Sequence, residues 1–192
     1  MASKYTKEEI RKIFLEMLNE TSLKKITIKA LSKKCQINRN TFYYHYSDIY
    51  ELLSEIFQIE LAKVIENYDD SCTWEESFIK AAKFAIENQR AIYHVYYSLR
   101  REDLSNYISK VAENVMIRYV KRKSKNIPAT EDNIKWIAYF YQCALTEMLM
   151  RWIASGMQED PKAIIRKIGL LFDGNIEISL KRSLTSMKLI QK

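Results

Sequence analysis

Three glycines and two prolines are all that this 192-residue chain contains. Glycine supplies positive φ and proline presets the corner of a turn, so the two punctuate most changes of chain direction. Average usage is about 7% glycine and about 5% proline. A sandwich, a barrel or a parallel α/β sheet needs more turns than this composition supplies. Long helices joined by few loops do not. The expectation is an all-α chain, and a 47% hydrophobic content is enough to give it a buried core. The length suits one ordinary domain, or a small module joined to a larger one.

Helix starts can be read from their caps. Thr6 followed by Glu9 has the capping-box spacing, and Ile10, Ile13, Phe14, Met17 and Leu18 follow the stripe of an amphipathic helix. Thr27 opens a second helix and Asn38 a third, both residue types being favoured caps. Ile26 with Leu31, and Ile37 with Phe42, have the spacing of a hydrophobic staple across each cap. Two short helices separated by Cys35, Gln36 and Ile37, after one longer helix, have the layout of a helix-turn-helix inside a three-helix unit.

At about 100° per residue, Phe42 and Tyr46 share the inward face of the third helix. Asn40, Tyr44 and Ser47 point the opposite way, with Thr41 and Tyr43 on the flanks. Arg39 sits on the first turn, where side chains of a recognition helix reach base edges. Charge agrees with this reading. Residues 1–46 hold ten Lys/Arg and four acids, a net of +6, and the rest of the chain nets +1. A basic end on a neutral body is the electrostatic footprint of nucleic-acid binding. The competing reading is a three-helix packing unit whose tyrosines face solvent; basic charge, a short helix, a tight turn and a polar-aromatic outer face together favour DNA.

The run IKALSKKCQINRNTFYYHYSDIYELL resembles the amino-terminal DNA-binding region of the tetracycline-repressor (TetR/AcrR) family of bacterial regulators. Thr41, Phe42, Tyr43, His45 and Tyr46 match the family's T-[LF]-Y-x-[HY]-F run in order and spacing, and Leu52 and Leu53 match the start of the next helix. The resemblance covers about residues 6–58. It implies that Thr27 meets a phosphate, that Arg39, Asn40 and Thr41 face base edges, that Tyr43 and His45 touch the backbone, and that Tyr44 contacts a thymine methyl or phosphate. Two positions depart from the pattern. Gln36 stands where the turn usually has glycine, and Ile49 stands where a phosphate-contacting lysine is common. The DIYELL segment is similar to a subset of the family that includes activators working through partner proteins.

The resemblance further implies a helix-turn-helix domain over residues 1–47 and a helical ligand-binding and dimerisation domain over 48–192, about nine helices in all. The chain would act as a homodimer on a palindromic double-stranded operator, as a repressor released by a small-molecule effector. The alternatives are a partner-dependent activator of the same fold and a helical interaction module without DNA affinity. Beyond the third helix, periodicity and caps predict helices over 48–68, from the capping box of Thr73 and Glu76, over part of 88–99, over 103–124, over 131–155 with Thr130 as cap, and from Pro161 to about Leu184. The last two are apolar on more than one face, which predicts burial against both the core and a second surface. In family terms that surface is the dimer interface, with Trp152, Ile164, Ile168, Leu171, Phe172 and Ile176 as its candidates. Tyr93, Tyr96, Tyr107, Trp136, Tyr139, Cys143, Glu147 and Arg151 mix ring bodies with polar tips and are the candidate lining of an effector pocket.

Other classes find no support. Cys35, Cys72 and Cys143 are odd in number and widely spaced, so neither a disulfide framework nor a metal site is expected, and His45 lacks a ligand-spaced partner. No phosphate loop, catalytic carboxylate pair or nucleophile arrangement occurs, and the cluster of Tyr93, His94, Tyr96 and Tyr97 is the nearest thing to an active site. No cofactor is expected. No apolar run approaches the about 18 residues of a membrane span. The expectation is a cytoplasmic protein that is not an enzyme.

Overall fold

The computed structural model describes residues 2–69, 71–172 and 174–190. Among them the chain is all-α: α1 (Ala2–Glu20), a 3-10 turn (Leu23–Lys25), α2 (Ile28–Lys34), α3 (Arg39–His45), α4 (Ile49–Glu66), α5 (Trp74–Glu87), α6 (Gln89–Tyr96), α7 (Arg101–Lys123), α8 (Glu131–Ala154), α9 (Pro161–Phe172) and α10 (Asn175–Ile190). No strand occurs among the described residues. The helices group into two compact units. The first takes residues up to 62 together with 84–107, and the second takes 63–83 together with 108 onward.

Local chemistry accounts for most of the boundaries. The Thr27 hydroxyl accepts the Ala30 N–H at 3.2 Å, and Asn38 Oδ1 accepts the Thr41 N–H at 2.7 Å, so both short helices start on side-chain caps. Thr73 and Glu76 form the reciprocal box: Glu76 Oε2 accepts the Thr73 N–H at 2.9 Å while the Thr73 hydroxyl accepts the Glu76 N–H at 3.2 Å. Thr130 accepts the Asn133 N–H at 3.2 Å and opens α8. Two expectations change. Because α1 begins at Ala2, Thr6 lies inside that helix and does not cap it. The expected final helix is two helices, α9 and α10, broken at Gly174, whose φ of 74° is outside helical space.

The first unit packs Ile10, Phe14 and Leu18 of α1, Leu31 of α2, Phe42 of α3 and Leu52 and Leu53 of α4 at near-zero exposure. Helix α6 docks on α1 through a polar seam. Asn19 Oδ1 accepts the Ala91 N–H at 3.1 Å, Asn19 Nδ2 donates to Asn88 Oδ1 at 3.1 Å, and His94 Nδ1 lies 2.6 Å from the Leu18 carbonyl. A carbonyl only accepts, so His94 carries its proton on Nδ1 there. The bond spends the imidazole on holding two helices together rather than on chemistry. The second unit buries Val115, Met116 and Val120 of α7, Leu145 and Ile153 of α8, Ile168 of α9 and Ile176 and Leu180 of α10. Tyr141 of α8 meets Phe172 of α9 edge-to-face at 4.7 Å.

Candidate nucleic-acid interface

The turn between α2 and α3 is built by Gln36. The Gln36 N–H bonds to the Lys33 carbonyl at 3.2 Å and the Ile37 N–H to the Ser32 carbonyl at 3.0 Å, a Schellman closure of α2 with Gln36 at the left-handed position, φ 56°. The end of α8 repeats the same closure with glycine in that role. Gly156, at φ 86°, bonds to Ile153 O at 3.0 Å, and Met157 bonds to Trp152 O at 3.1 Å. A side chain with a Cβ in this conformation costs about 1 kcal/mol that glycine avoids. Gln36→Gly is therefore expected to leave the fold unchanged and to raise stability by about 0.5–1 kcal/mol, and Gln36→Val to lower it by about 1–2 kcal/mol. Paired urea denaturation curves check both, and a destabilised Gln36→Gly would mean that the turn is not held as described.

Helix α3 is two-sided. Phe42 is fully buried and Tyr46 nearly so, with their rings 5.7 Å apart. On the other side Arg39, Asn40, Tyr43 and Tyr44 are exposed, the two tyrosines by 54% and 79%. Thr41 and His45 are half-buried, and the His45 ring meets Tyr44 edge-on at 4.9 Å. The Thr41 hydroxyl donates to Asn38 Oδ1 at 3.0 Å, which leaves its lone pairs for an outside donor. Thr27 is exposed at the start of α2, its hydroxyl accepting from Ala30 and keeping its own proton to give. All seven sequence candidates, Thr27, Arg39, Asn40, Thr41, Tyr43, Tyr44 and His45, thus lie on the helix-turn-helix with solvent access.

Helix α3 is anchored from beneath by one carboxylate. Glu55 of α4 accepts from Lys7 at 2.9 Å, from Arg11 at 3.4 Å and from the Tyr46 hydroxyl in a short bond, and Lys7 lies 4.9 Å over the Tyr46 ring. Burial, then the Glu55 bond, pushes the Tyr46 phenol well above its ordinary value. Glu55 itself is pushed up by burial, but the bonds from Tyr46 and Lys7 and the two cationic charges outweigh this and hold it low. The cluster carries no local sequence signal, because Lys7, Arg11 and Tyr46 lie 48, 44 and 9 residues from Glu55. Burial, with help from the Glu9 and Glu16 charges, pushes the Cys35 thiol to about 11, so it stays a protonated, unreactive group.

The start of α4 is acidic and closed on itself. Asp48 Oδ1 accepts the Tyr50 and Glu51 N–H groups at 2.7 and 2.8 Å. Glu51 Oε2 accepts from the Ser47 N–H and hydroxyl at 2.7 and 2.8 Å, bonds that lower its carboxyl. With Ile49 between them, this helix end presents carboxylates where a phosphate would need cations and amides. Exposed bases lie instead at Lys24 and Lys25 on the 3-10 turn and at Lys29 and Lys33 on α2.

The remaining candidates are not brought together as expected. Tyr96 and Tyr107 are core residues of the first unit, Tyr107 stacked on Phe57 at 4.8 Å, and Tyr93 is part-exposed there. Trp136, Tyr139, Cys143, Glu147 and Arg151 form an outward stripe along α8 in the second unit rather than the lining of an enclosed site. Of the six interface candidates, Trp152, Ile168, Phe172 and Ile176 are buried in the chain's own core, Ile164 is half-buried, and Leu171 is exposed. The physical reason is common to both sets. Helices apolar on two faces have a periodicity that says how the faces are spaced, not which one turns inward.

A family model described as "Transcriptional regulator C-terminal region", of TetR type, matches residues 72–174, more than half of the chain. The chain belongs to the TetR family of transcriptional regulators. Its TetR-type fold is shared with solved structures. One of the dihydroxyacetone kinase operon activator DhaS superposes with a TM-score of 0.76 over 90% of this chain and 97% of that one, at 19% identity. Another, of a TetR-family regulator from Streptomyces coelicolor, has a TM-score of 0.61 over 93% and 91%, at 10% identity. In sequence, this TetR-family chain is 27% identical over 84 residues to the dhaKLM operon transcriptional activator DhaS of Lactococcus lactis, 44% of this chain and 45% of that protein. It is 34% identical over 82 residues to the HTH-type transcriptional regulator YxbF of Bacillus subtilis, 42% of this chain and 22% of that protein. The matches therefore span less than half the length of these curated relatives. Among the described residues no helix is long and apolar enough to cross a membrane, and no group of three or more His, Cys, Asp or Glu is placed to hold a metal.

Proposed function

We propose that this TetR-family regulator binds a two-fold symmetric DNA operator as a homodimer, reading base edges with α3. The observation that carries the reading is the division of α3, with Phe42 and Tyr46 locked inside and Arg39, Asn40, Tyr43 and Tyr44 held outside on a backbone that cannot roll without exposing both inner rings. Arg39 and Asn40, on the first turn, suit guanine and adenine edges in the major groove. Tyr43, Tyr44 and His45 suit the backbone and thymine methyls. Phosphate attraction comes from Lys24, Lys25 and Lys29 flanking the Thr27 cap, because the acidic start of α4 repels it. Two recognition helices one turn of DNA apart require a symmetric pair of chains.

The direction of control is proposed as activation. DhaS, met in both the sequence and the structure comparison, is named an activator, and the DIYELL segment is similar to the activator-containing subset of the family. An effector pocket built from the eight expected residues gains no support from their positions, five of which face outward on α8.

Fluorescence anisotropy with the DNA beside the chain's own gene tests the reading. Affinity is expected to fall linearly with salt on logarithmic axes, with a slope of about −0.9 per phosphate neutralised. Arg39→Ala is expected to cost about 1–3 kcal/mol and to relax sequence preference, whereas Lys29→Ala weakens all sequences alike and flattens the slope by about one. If an Arg39→Ala/Tyr43→Ala variant binds with unchanged affinity and slope, the chain is an interaction module and not a DNA reader. In cells, deletion should lower transcription of the adjacent genes; a rise would mean repression.

A further inference from the structure

We propose that Cys72 and Lys80 form an oxidation-sensitive pair: a peroxide oxidises the Cys72 sulfur, and the Lys80 amine then closes on it as a sulfenamide, a direct bond between Sγ and Nζ. Both residues belong to the second unit, and the pair reacts whether or not α3 reads DNA.

Three groups converge where the chain enters α5. Lys80 Nζ donates to Cys72 Sγ at 2.9 Å, the Cys72 thiol donates to Asp69 Oδ2 at 3.3 Å, and Lys80 Nζ lies 3.7 Å from the same carboxylate oxygen. The thiol proton therefore points to the carboxylate, and a sulfur lone pair to the amine. Backbone contacts hold the sulfur in place. The Cys72 N–H bonds to the Asp69 carbonyl at 3.2 Å, Arg122 of α7 donates to the Cys72 carbonyl in a short bond, and the reciprocal box of Thr73 and Glu76 begins at the next residue. Asp69 is fixed in turn, its Oδ1 accepting from the Ser71 N–H and hydroxyl at 2.8 and 2.6 Å. Lys80 brings its amine on a flexible four-carbon stem from about two turns into α5. A fixed sulfur and a tethered amine already in contact meet at an effective concentration far above that of any free amine. A small oxidant can reach them, since the Lys80 side chain is 57% exposed and Cys72 is half-buried.

The other two cysteines are placed differently: burial keeps Cys35 protonated, and Cys143 of α8 lies beside the Tyr139 hydroxyl. At Cys72 the reaction balances in two steps. The sulfur attacks a peroxide oxygen and the O–O bond breaks. Cys72 becomes a sulfenic acid, one water is released, and the two electrons lost by sulfur are gained by the peroxide. Lys80 Nζ then attacks the sulfenic sulfur, the S–O bond breaks, and the hydroxyl leaves with an amine proton as a second water. Each side chain has then lost one hydrogen. A sulfenic acid condenses with nitrogen as well as with a thiol, and here nitrogen is the neighbour. The bond to Cys72, and then the charge of that residue, raise the Lys80 amine above its ordinary range, so oxidising the sulfur removes what holds the amine protonated. The product ties the segment ahead of α5 to the second turn of that helix and deletes the Lys80 charge. A dithiol reverses it, giving back thiol and amine as the dithiol becomes a disulfide.

Peptide mass spectrometry reads the bond in the full chain after hydrogen peroxide, iodoacetamide and trypsin. In the wild type, residues 64–83 are expected to stay one peptide, because trypsin needs the free amine of Lys80 to cut there. That peptide should be about 2 Da lighter than its reduced sequence, with Cys72 unalkylated. Dithiothreitol before alkylation should restore both alkylation of Cys72 and cleavage after Lys80. Lys80→Arg keeps the charge beside the sulfur and removes the amine. Its Cys72 is expected to stop at the sulfenic acid and to take up dimedone, which traps that acid, about tenfold more than the wild type does. The side chain replaced is exposed, so circular dichroism should not distinguish the two proteins. A wild type cut normally at Lys80 that carries a sulfinic acid or a disulfide at Cys72 overturns the proposal. So does a Cys72 that is still fully alkylated after peroxide. A peptide about 14 Da heavier would hold an oxygen between sulfur and nitrogen and would overturn the direct bond.

Discussion

Phe42→Ala is expected to lower the stability of the first unit by about 3–5 kcal/mol and to abolish sequence-specific DNA binding. Phe42 is fully buried, and it is the residue through which α3, only seven residues long, reaches the core shared by α1, α2 and α4. A helix so short has little stability of its own, so its tertiary contact decides whether it exists at all. Removing the ring leaves a cavity beneath Tyr43 and Tyr46, whose ring centroids lie 5.8 and 5.7 Å from its own. A domain stable by about 5–15 kcal/mol loses about a fifth of its margin or more. Urea denaturation followed by circular dichroism should show a lower midpoint at unchanged slope. Tyr44→Ala is the matched control: its side chain is outside, so stability should move by no more than about 0.5 kcal/mol while DNA affinity falls. A loss below about 1 kcal/mol for Phe42→Ala would show that something else holds α3 down.

That inward position was legible in the sequence, as were the caps at Thr27, Asn38, Thr73 and Thr130. Each of these is decided within three or four residues, by a hydrogen bond or a staple that the local order of residue types already contains. Thr6 shows how far such signals reach. The threonine and glutamate spacing is right for a cap, but the preceding residues are themselves helix-compatible, and the helix continues back to Ala2. A local pattern permits a boundary without enforcing one.

Long-range features were not legible, for physical reasons that differ by site. The seam of Asn19, Asn88, Ala91 and His94 joins residues about seventy positions apart, and neither end carries a signal of the other. Glu55 looks in sequence like any polar position on an amphipathic helix, yet it gathers Lys7, Arg11 and Tyr46. Which side of α8 turns outward was not legible, because large apolar residues occur on both. Trp152 turns in and Phe140 turns out, and only packing against α9 and α10 breaks the tie. The outward residues of α3 were readable because Phe42 and Tyr46 mark its inward side, which gives the wheel a direction.

Glu55→Ala is expected to cost about 2–3 kcal/mol of stability, less than the about 3–5 kcal/mol of breaking a fully buried pair, because its side chain is about a quarter exposed and partly screened. The loss should be pH-dependent with a definite sign. The folded carboxyl is held below its ordinary 4.5, so its contribution is fully present above that value and disappears as pH falls through the depressed one. Tyr46 runs the other way: its phenol is raised above 10, so its contribution is present below 10 and is lost only in strong alkali. Between these limits the cluster stabilises the junction of α1, α3 and α4 across the neutral range. Glu55→Gln separates the two parts, since an amide oxygen still accepts from Tyr46 but offers no charge to Lys7 and Arg11. It should lose about 1 kcal/mol and flatten the acid limb of the stability curve. Because Glu55 lies beneath α3 and not on the face proposed for DNA, both variants should weaken operator binding with the salt slope unchanged, whereas loss of a phosphate contact would change it. Urea curves from neutral pH to below 4 provide the check: if wild type and Glu55→Ala stay parallel through the acid range, the carboxylate is not what ties the recognition helix to the rest of the unit.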